Sequence, residues 1–476
     1  MTTSQAPPVR RVPVTEVPRA VPAAGPALPP GEPPRMRRSP APRPRLPMDG
    51  PLRLVVSAAL ALIALAALCA AAVLGAVDVR GEVAELDTAV SQRAAVAAEL
   101  RFALADLDAQ RANSLVPGHS ALHPDVEVGN RLLALITAQQ RRAEVSDLLR
   151  RLGADPRQGD RVRSLLDALG RYDDAGARSS YVDETHSDRP AGVPPHAAVA
   201  LSSEAADVLR NELLPVATAL SQTYAQQAAD RESAARRSAS WSAALVGVFG
   251  VLALGLLLWW QRDLARRYQR VFNPALVAAT VAALVVTVSG TLSFTAAASE
   301  VGAAGREGLR PWSQLAEARA VAADAAATQS RWLVHDAASA GFQRERFDAL
   351  TRRLDVLLAP GTSTTAAERP AYQDVSTRYG HFRADDAKLR SLRAAGRLDE
   401  AVTVLTEVGR GQVAFDFWDF ATTLDALADR QHAAFDRHTD RARSALAGWP
   451  AVPGAALAAA AVLVLLGVRP RLAEYR

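Results

Sequence analysis

Four stretches of this chain carry no charged residue over a length that a bilayer core would require. They run from Leu54 to Val77, Ser238 to Gln261, Val271 to Ser299 and Ser444 to Val468. A helix needs about 20 apolar residues to cross the hydrocarbon. Each run is bounded by charge: Asp78 closes the first, Arg237 and Arg262 bracket the second, Arg270 and Glu300 the third, Arg443 and Arg469 the fourth. Trp241 and Trp449 near one face, and Trp259 with Trp260 near the other, sit where amphipathic rings favour a membrane interface. The pattern predicts an all-α membrane protein with four transmembrane helices.

Orientation follows from the arginines beside the spans. Segment 1–53 carries nine Arg against three acidic residues, 262–270 four against one, and 469–476 three against one. The net charge of the whole chain is only +5, so segments 78–237 and 300–443 together are acidic. Both large segments are therefore expected outside a plasma membrane, with both termini cytoplasmic. The 53-residue leader and the length of the first run favour a retained anchor over a cleaved signal peptide. The tail 1–53 is rich in Pro and Arg, poor in large apolar residues and expected to be disordered. It reads equally as an anchor for anionic headgroups or an acidic partner and as a solvated topogenic leader.

Shifted against itself by 218 residues, the sequence lays the third span on the first, and the match runs on into the outward segment. Glu82-Val83 meets Glu300-Val301, Ala98-Glu99 meets Ala316-Glu317, Arg101 meets Arg319, and Ala105-Asp106 meets Ala323-Asp324. From 82 to 116, 10 of 35 positions are identical. This implies an internal duplication of one unit: span, outward domain, span. Ala, Leu, Glu, Arg and Gln dominate both outward segments, so they should be helical. Breakers divide them into helices of about 79–116, 125–152, 158–187 and 196–237, then 300–340, 342–359, 366–394 and 397–443. Each set fits an extracytoplasmic four-helix bundle, giving two in tandem. No breaker separates the outer helices from the spans, so a shift in a bundle could pass through the membrane.

Composition removes several functions. Lys388 is the only lysine and stands in Asp385-Asp386-Ala387-Lys388, which fits neither a phosphate-binding loop nor a kinase site. The single Cys69 lies within a span and reads as packing. No span contains an ionisable group, which argues against an ion pathway. His119 and His123 have i, i+4 spacing, but the prolines around them favour a solvated loop over a metal site. No catalytic residue, cofactor, metal or nucleic-acid partner is expected. Candidate ligand or partner residues are the aromatic cluster Phe415, Phe417 and Trp418, for which core packing is the leading reading, and Arg111 and Arg331, for which exposed helix-face charge is the leading reading. The connection 262–270, through Arg262, Arg266, Arg267, Tyr268 and Arg270, is either topogenic charge or a docking surface for a cytoplasmic protein.

Beyond the duplicated plan, the stretches Tyr172-Asp173-Asp174-Ala175-Gly176-Ala177-Arg178, Ser202 to Arg210 leading into Leu213-Leu214-Pro215-Val216-Ala217, Tyr372 to His381, and Gly396 to Ala401 carry a family likeness. Over about residues 52–470 the chain resembles the actinobacterial four-span membrane proteins typified by GlnX. The resemblance implies paired outward sensory domains and non-enzymatic signal transduction. An extracytoplasmic solute-binding lipoprotein reporting glutamate, aspartate or glutamine would act through the membrane protein on a cytoplasmic Ser/Thr kinase, protein kinase G. A membrane scaffold for cell-envelope assembly is the alternative, and a homodimer is left open.

Overall fold

The structure is a computed structural model that describes residues 50–119, 126–268, 273–359, 365–449 and 451–473. The tail 1–49, His123 and Arg270 lie outside these residues. Nearly every described residue is helical, and no strand occurs among them. In chain order the helices are α1 Gly50–Glu85, α2 Gln92–Ser114, α3 Val126–Gly153, α4 Gly159–Glu184, α5 His196–Val208 and α6 Leu214–Tyr268. Then follow α7 Pro274–Ala303, α8 Arg310–Val334, α9 Ala337–Leu357, α10 Arg369–Ala394, α11 Leu398–Thr406, α12 Val413–Ala445 and α13 Ala451–Ala473.

Three continuous helices are long and apolar enough to cross a membrane: Arg53–Glu85, His196–Arg266 and Pro274–Val334. A fourth apolar helix, Ala451–Gly467, is shorter. These segments pack on one another through small residues. A Cβ added at Gly250 would lie 2.2 Å from Thr287, and one at Gly290 would lie 2.9 Å from the Trp449 ring. Close backbone approach of this kind is how apolar helices gain contact where no hydrophobic drive separates them from lipid. Leu65, Leu68, Trp260 and Phe294 complete the buried centre of this layer.

The expected continuity from apolar run to outward helix holds for α1–α2 and α7–α8, with a qualification. Each pair is joined by a π-helical turn, Leu86–Ser91 in the first and Ala304–Leu309 in the second, 218 residues apart. A third π turn, Leu209–Leu213, joins α5 to α6. Two of the three end two residues before a proline, Pro215 and Pro311, whose ring nitrogen cannot donate to the helix; the wider turn accommodates that loss without ending the rod. Helix α6 then runs unbroken for 55 residues, about 80 Å at the α-helical rise.

Elsewhere the breaks fall differently from the sequence expectation. The helix expected to end at Gly341 stops at Val334, because His335 turns to an extended conformation and Asp336 caps α9 by accepting from the Ser339 amide at 2.9 Å. Gly341 lies inside α9. The span 397–443 is two helices, α11 and α12, parted at Gly411, whose φ of +76° suits glycine. The fourth apolar run is not continuous with the helix before it: α12 ends at Ala445, and Gly448 at φ +83° turns the chain before α13.

Where α1 and α7 leave the apolar layer, the two π turns at Leu86–Ser91 and Ala304–Leu309 meet. Leu86, Val90, Ala304, Leu309 and Phe435 form one buried cluster there. The Arg443 guanidinium donates to Asp87 across it, and His438 pairs with Glu300 at 2.7 Å. Gly308 is required by this contact, since a Cβ would sit 2.6 Å from the Phe435 backbone. We expect Gly308→Ala to lower stability by roughly 1–3 kcal/mol through overpacking. Gly341→Ala, with nothing within 4 Å of the new atom, should be neutral or stabilising by up to about 1 kcal/mol. Thermal unfolding of the two variants in one detergent compares them directly.

Candidate functional site: a cleft at the seam of two helical sets

Helices α2 and α8 pack side by side, with Ala109, Ala112 and Ala327 buried between them. Small side chains at these positions let the two rods approach closely. Three charged identities of the 218-residue offset, Glu99 with Glu317, Arg101 with Arg319 and Asp106 with Asp324, sit on this pair. Arg319 on α8 reaches Glu99 on α2 at 3.1 Å. Asp106 and Asp324, which correspond at that offset, each pair with an arginine of the following helix, Arg141 at 2.6 Å and Arg346 at 2.7 Å.

Deeper in the seam, Arg331 on α8 forms an ion pair at 2.5 Å with Asp108 on α2, and both side chains are almost completely buried. The Tyr172 hydroxyl of α4 also donates to Asp108, at 3.3 Å. Burial first, and then the Asp108 charge, drives the Tyr172 phenol upward, so it stays a neutral donor. Arg111 lies over the Tyr172 ring, 4.6 Å from its centre, and donates to Asp173 at 2.8 Å. The two sequence-selected arginines are thus brought together around Tyr172, one in a buried pair and one half-buried, and neither lines a cavity of ligand size.

The three sequence-selected aromatics do. A cleft of about 790 Å³ opens between α2, α3, α8 and α12. Phe415, Phe417 and Trp418 line it from α12, and Phe102 and Ala109 from α2. Ala322, Ala323 and Ala326 give α8 a low wall, and Arg141 and Arg319 converge on Phe102. Both guanidinium groups stand over that ring, at 5.0 and 4.2 Å from its centre. The rim is apolar and exposed: Leu133 on α3, Val408 and Trp418 are each more than half accessible. Phe417 is anchored behind the wall against Phe382 and Phe420. Sequence inspection passed over Phe102, Arg141 and Arg319; the identity of Arg101 with Arg319 at the offset was the available signal.

The turn that aims the α12 aromatics has its own polar support. Asp416 accepts from the Gly411 amide at 3.3 Å, while Lys388, on α10, donates to the Gly411 carbonyl at 3.1 Å. Asp385, on α10, is pushed up to about 6, by burial first and then by its hydrogen bond with the Asp416 carboxyl and the charge there. The remaining candidates stand apart from the cleft. Arg262 and Arg266 are exposed near the far end of α6, Arg267 and Tyr268 follow on the same helix, and Arg270 lies outside the described residues. His119 is held by backbone bonding to Arg189 and Ala191 in the loop after α2. No group of three or more potential metal ligands occurs among the described residues.

No protein-family model matches this chain, and neither a curated protein nor a solved structure matches it.

Two outcomes follow. Arg331→Leu strands a buried carboxylate and should cost roughly 3–5 kcal/mol, part of which Asp108→Asn in the same chain restores; equilibrium unfolding of the single and double variants measures both. For Asp385, the folded state holds a proton between pH 4 and 6 that the unfolded state has released, so stability falls as pH rises through that window. Asp385→Asn should flatten that slope in unfolding experiments run from pH 4 to 7.

Proposed function

We propose that this protein is a non-enzymatic signal transducer of the plasma membrane. It has four spans with both termini cytoplasmic, and its two outward helical domains arose by internal duplication. The observation that carries the reading is that the cleft walls are made of the rods that enter the apolar layer. Helix α2 continues into α1 and α8 into α7 with only a π turn between. An occupant that changes the angle or rotation of α2 against α8 therefore acts on two apolar helices at once, since a packed seam has discrete alternatives rather than a continuum. The recurrence of the π turn at the 218-residue offset, and the matched pairing of Asp106 and Asp324, support the duplication.

In this reading the signal passes to a cytoplasmic partner. Helix α6 supplies the route: it reaches from the first outward domain to Arg262 and Arg266 without a break. Following the resemblance noted from the sequence, the partners we propose are an extracytoplasmic solute-binding lipoprotein reporting glutamate, aspartate or glutamine and a cytoplasmic Ser/Thr kinase docking near Arg262 to Arg270.

Two measurements test this. A reporter enzyme active only outside the membrane should be silent when fused after Gln261 and active when inserted at Gly396; the reverse overturns the topology. Crosslinked capture of the tagged chain from its native membranes should recover both a solute-binding lipoprotein and a Ser/Thr kinase, changing with amino-acid supply. Recovery of envelope-building enzymes alone, indifferent to amino acids, would instead make the chain a scaffold.

A further inference from the structure

We infer that the cleft between α2, α3, α8 and α12 is a binding site for a small, uncharged, largely apolar molecule. This goes beyond the relay proposed above and stands whether or not that relay does. Its volume of about 790 Å³ lies within the range of small-molecule sites, which are mainly apolar with a few placed polar groups. Rings from Phe102, Phe415, Phe417 and Trp418 face a wall of alanines, a shape suited to a flat or elongated apolar body.

The charge state of the ligand follows from the partners of the lining residues. Four charged groups reach the cleft: Asp106, Arg141, Arg319 and Asp425. All are paired. Arg141 is bonded to Asp106 at 2.6 Å and to Glu144 at 2.7 Å, and Arg319 to Glu99 at 3.1 Å and to Asp425 at 3.0 Å. A carboxylate ligand is recognised through a guanidinium whose fork is open to it, and here both forks are held by protein carboxylates. A free acidic amino acid would have to displace them. A neutral molecule leaves the pairs intact and gains from the rings and alanines by burial alone.

Gln329 lines the cleft but is only 2% exposed. Its amide nitrogen donates to Asp386 at 2.8 Å, which fixes the orientation of the amide, because only that end can donate to a carboxylate. The amide oxygen is buried and has no hydrogen-bond partner among the described residues. That oxygen is closed off from the cleft as well as from solvent, so it places no hydrogen-bond demand on an occupant, and recognition rests on the rings and the alanine wall.

The seam also indicates why a cleft forms from one set of positions and not from their counterparts. At the 218-residue offset Ala322 corresponds to Leu104, Ala326 to Asp108, and the cleft residue Asn113 to Arg331. Leu104 is buried in the first domain's core, and Asp108 and Arg331 form the buried ion pair. Leu104 and Asp108 thus fill on α2 the space that Ala322 and Ala326 leave open in the cleft.

The test uses the full chain in lipid nanodiscs and 1-aminoanthracene, a planar probe that is uncharged at neutral pH and forms adducts on irradiation. Adducts mapped by mass spectrometry should saturate with probe concentration in the segments 322–330 and 405–425, over a linear background in the apolar helices. Ala326→Phe, which fills the low wall, should abolish the saturable part. Trp418→Ala, at an exposed position that does not hold the fold, should weaken it several-fold and keeps the test open should Ala326→Phe fail to fold. Excess glutamate should not displace the probe. Labelling confined to the apolar helices, or saturable labelling unchanged in both folded variants, overturns the site; displacement by glutamate overturns the assignment of an uncharged ligand.

Discussion

The architecture turns on the seam between α2 and α8, and that seam turns on the ion pair of Arg331 with Asp108. Neither side chain has appreciable access to water, so the pair gains little net stability over an apolar contact, and its influence lies in what it forbids. A helix sliding by one residue along its neighbour would leave two buried charges apart. The pair thus holds one register of α2 against α8, and Tyr172 ties the same carboxylate to α4. The helices beyond the apolar layer are arranged around this register: the buried cluster of α2 to α6 on one side, that of α8 to α12 on the other, and the cleft along the α12 edge.

The π turns explain how the same rods can be both long and well seated. A straight α-helix advances its faces by a fixed angle, so an apolar stripe suited to the first span would not in general face the seam some 25 residues later. One wide turn at Leu86–Ser91 and its counterpart at Ala304–Leu309 reset the face of each rod where it leaves the apolar layer. The two turns then pack on each other with Phe435, which makes the exit from the apolar layer a tight joint.

Much of the helical order was legible in the residues. Proline and glycine marked the ends of α2, α3 and α4, because a missing donor or a left-handed backbone leaves few alternatives. The misplaced breaks have local causes: Asp336 caps a helix that Gly341 was expected to start, and the π turns are announced only by Pro215 and Pro311, with no proline at the first of the three. The aromatic cluster of α12 was picked out by composition, yet its surroundings were not, because Phe102, Arg141 and Arg319 come from helices distant in sequence. Arg111 and Arg331 looked like free helix charge; their partners, Asp173 and Asp108, are reached only by folding.

What the sequence determined by itself is the class of the protein: charge-free runs that call for an apolar surrounding, and helix-forming segments between them. These depend on the chemistry of neighbouring residues, which the chain carries wherever it goes. What only the tertiary structure decided is which positions stay open and which are filled. Asn113 and Arg331 occupy corresponding positions at the offset, but one lines the cleft and the other is locked to Asp108. That difference arises because packing compares side chains across helices, and no reading along a single helix contains the other side of the contact.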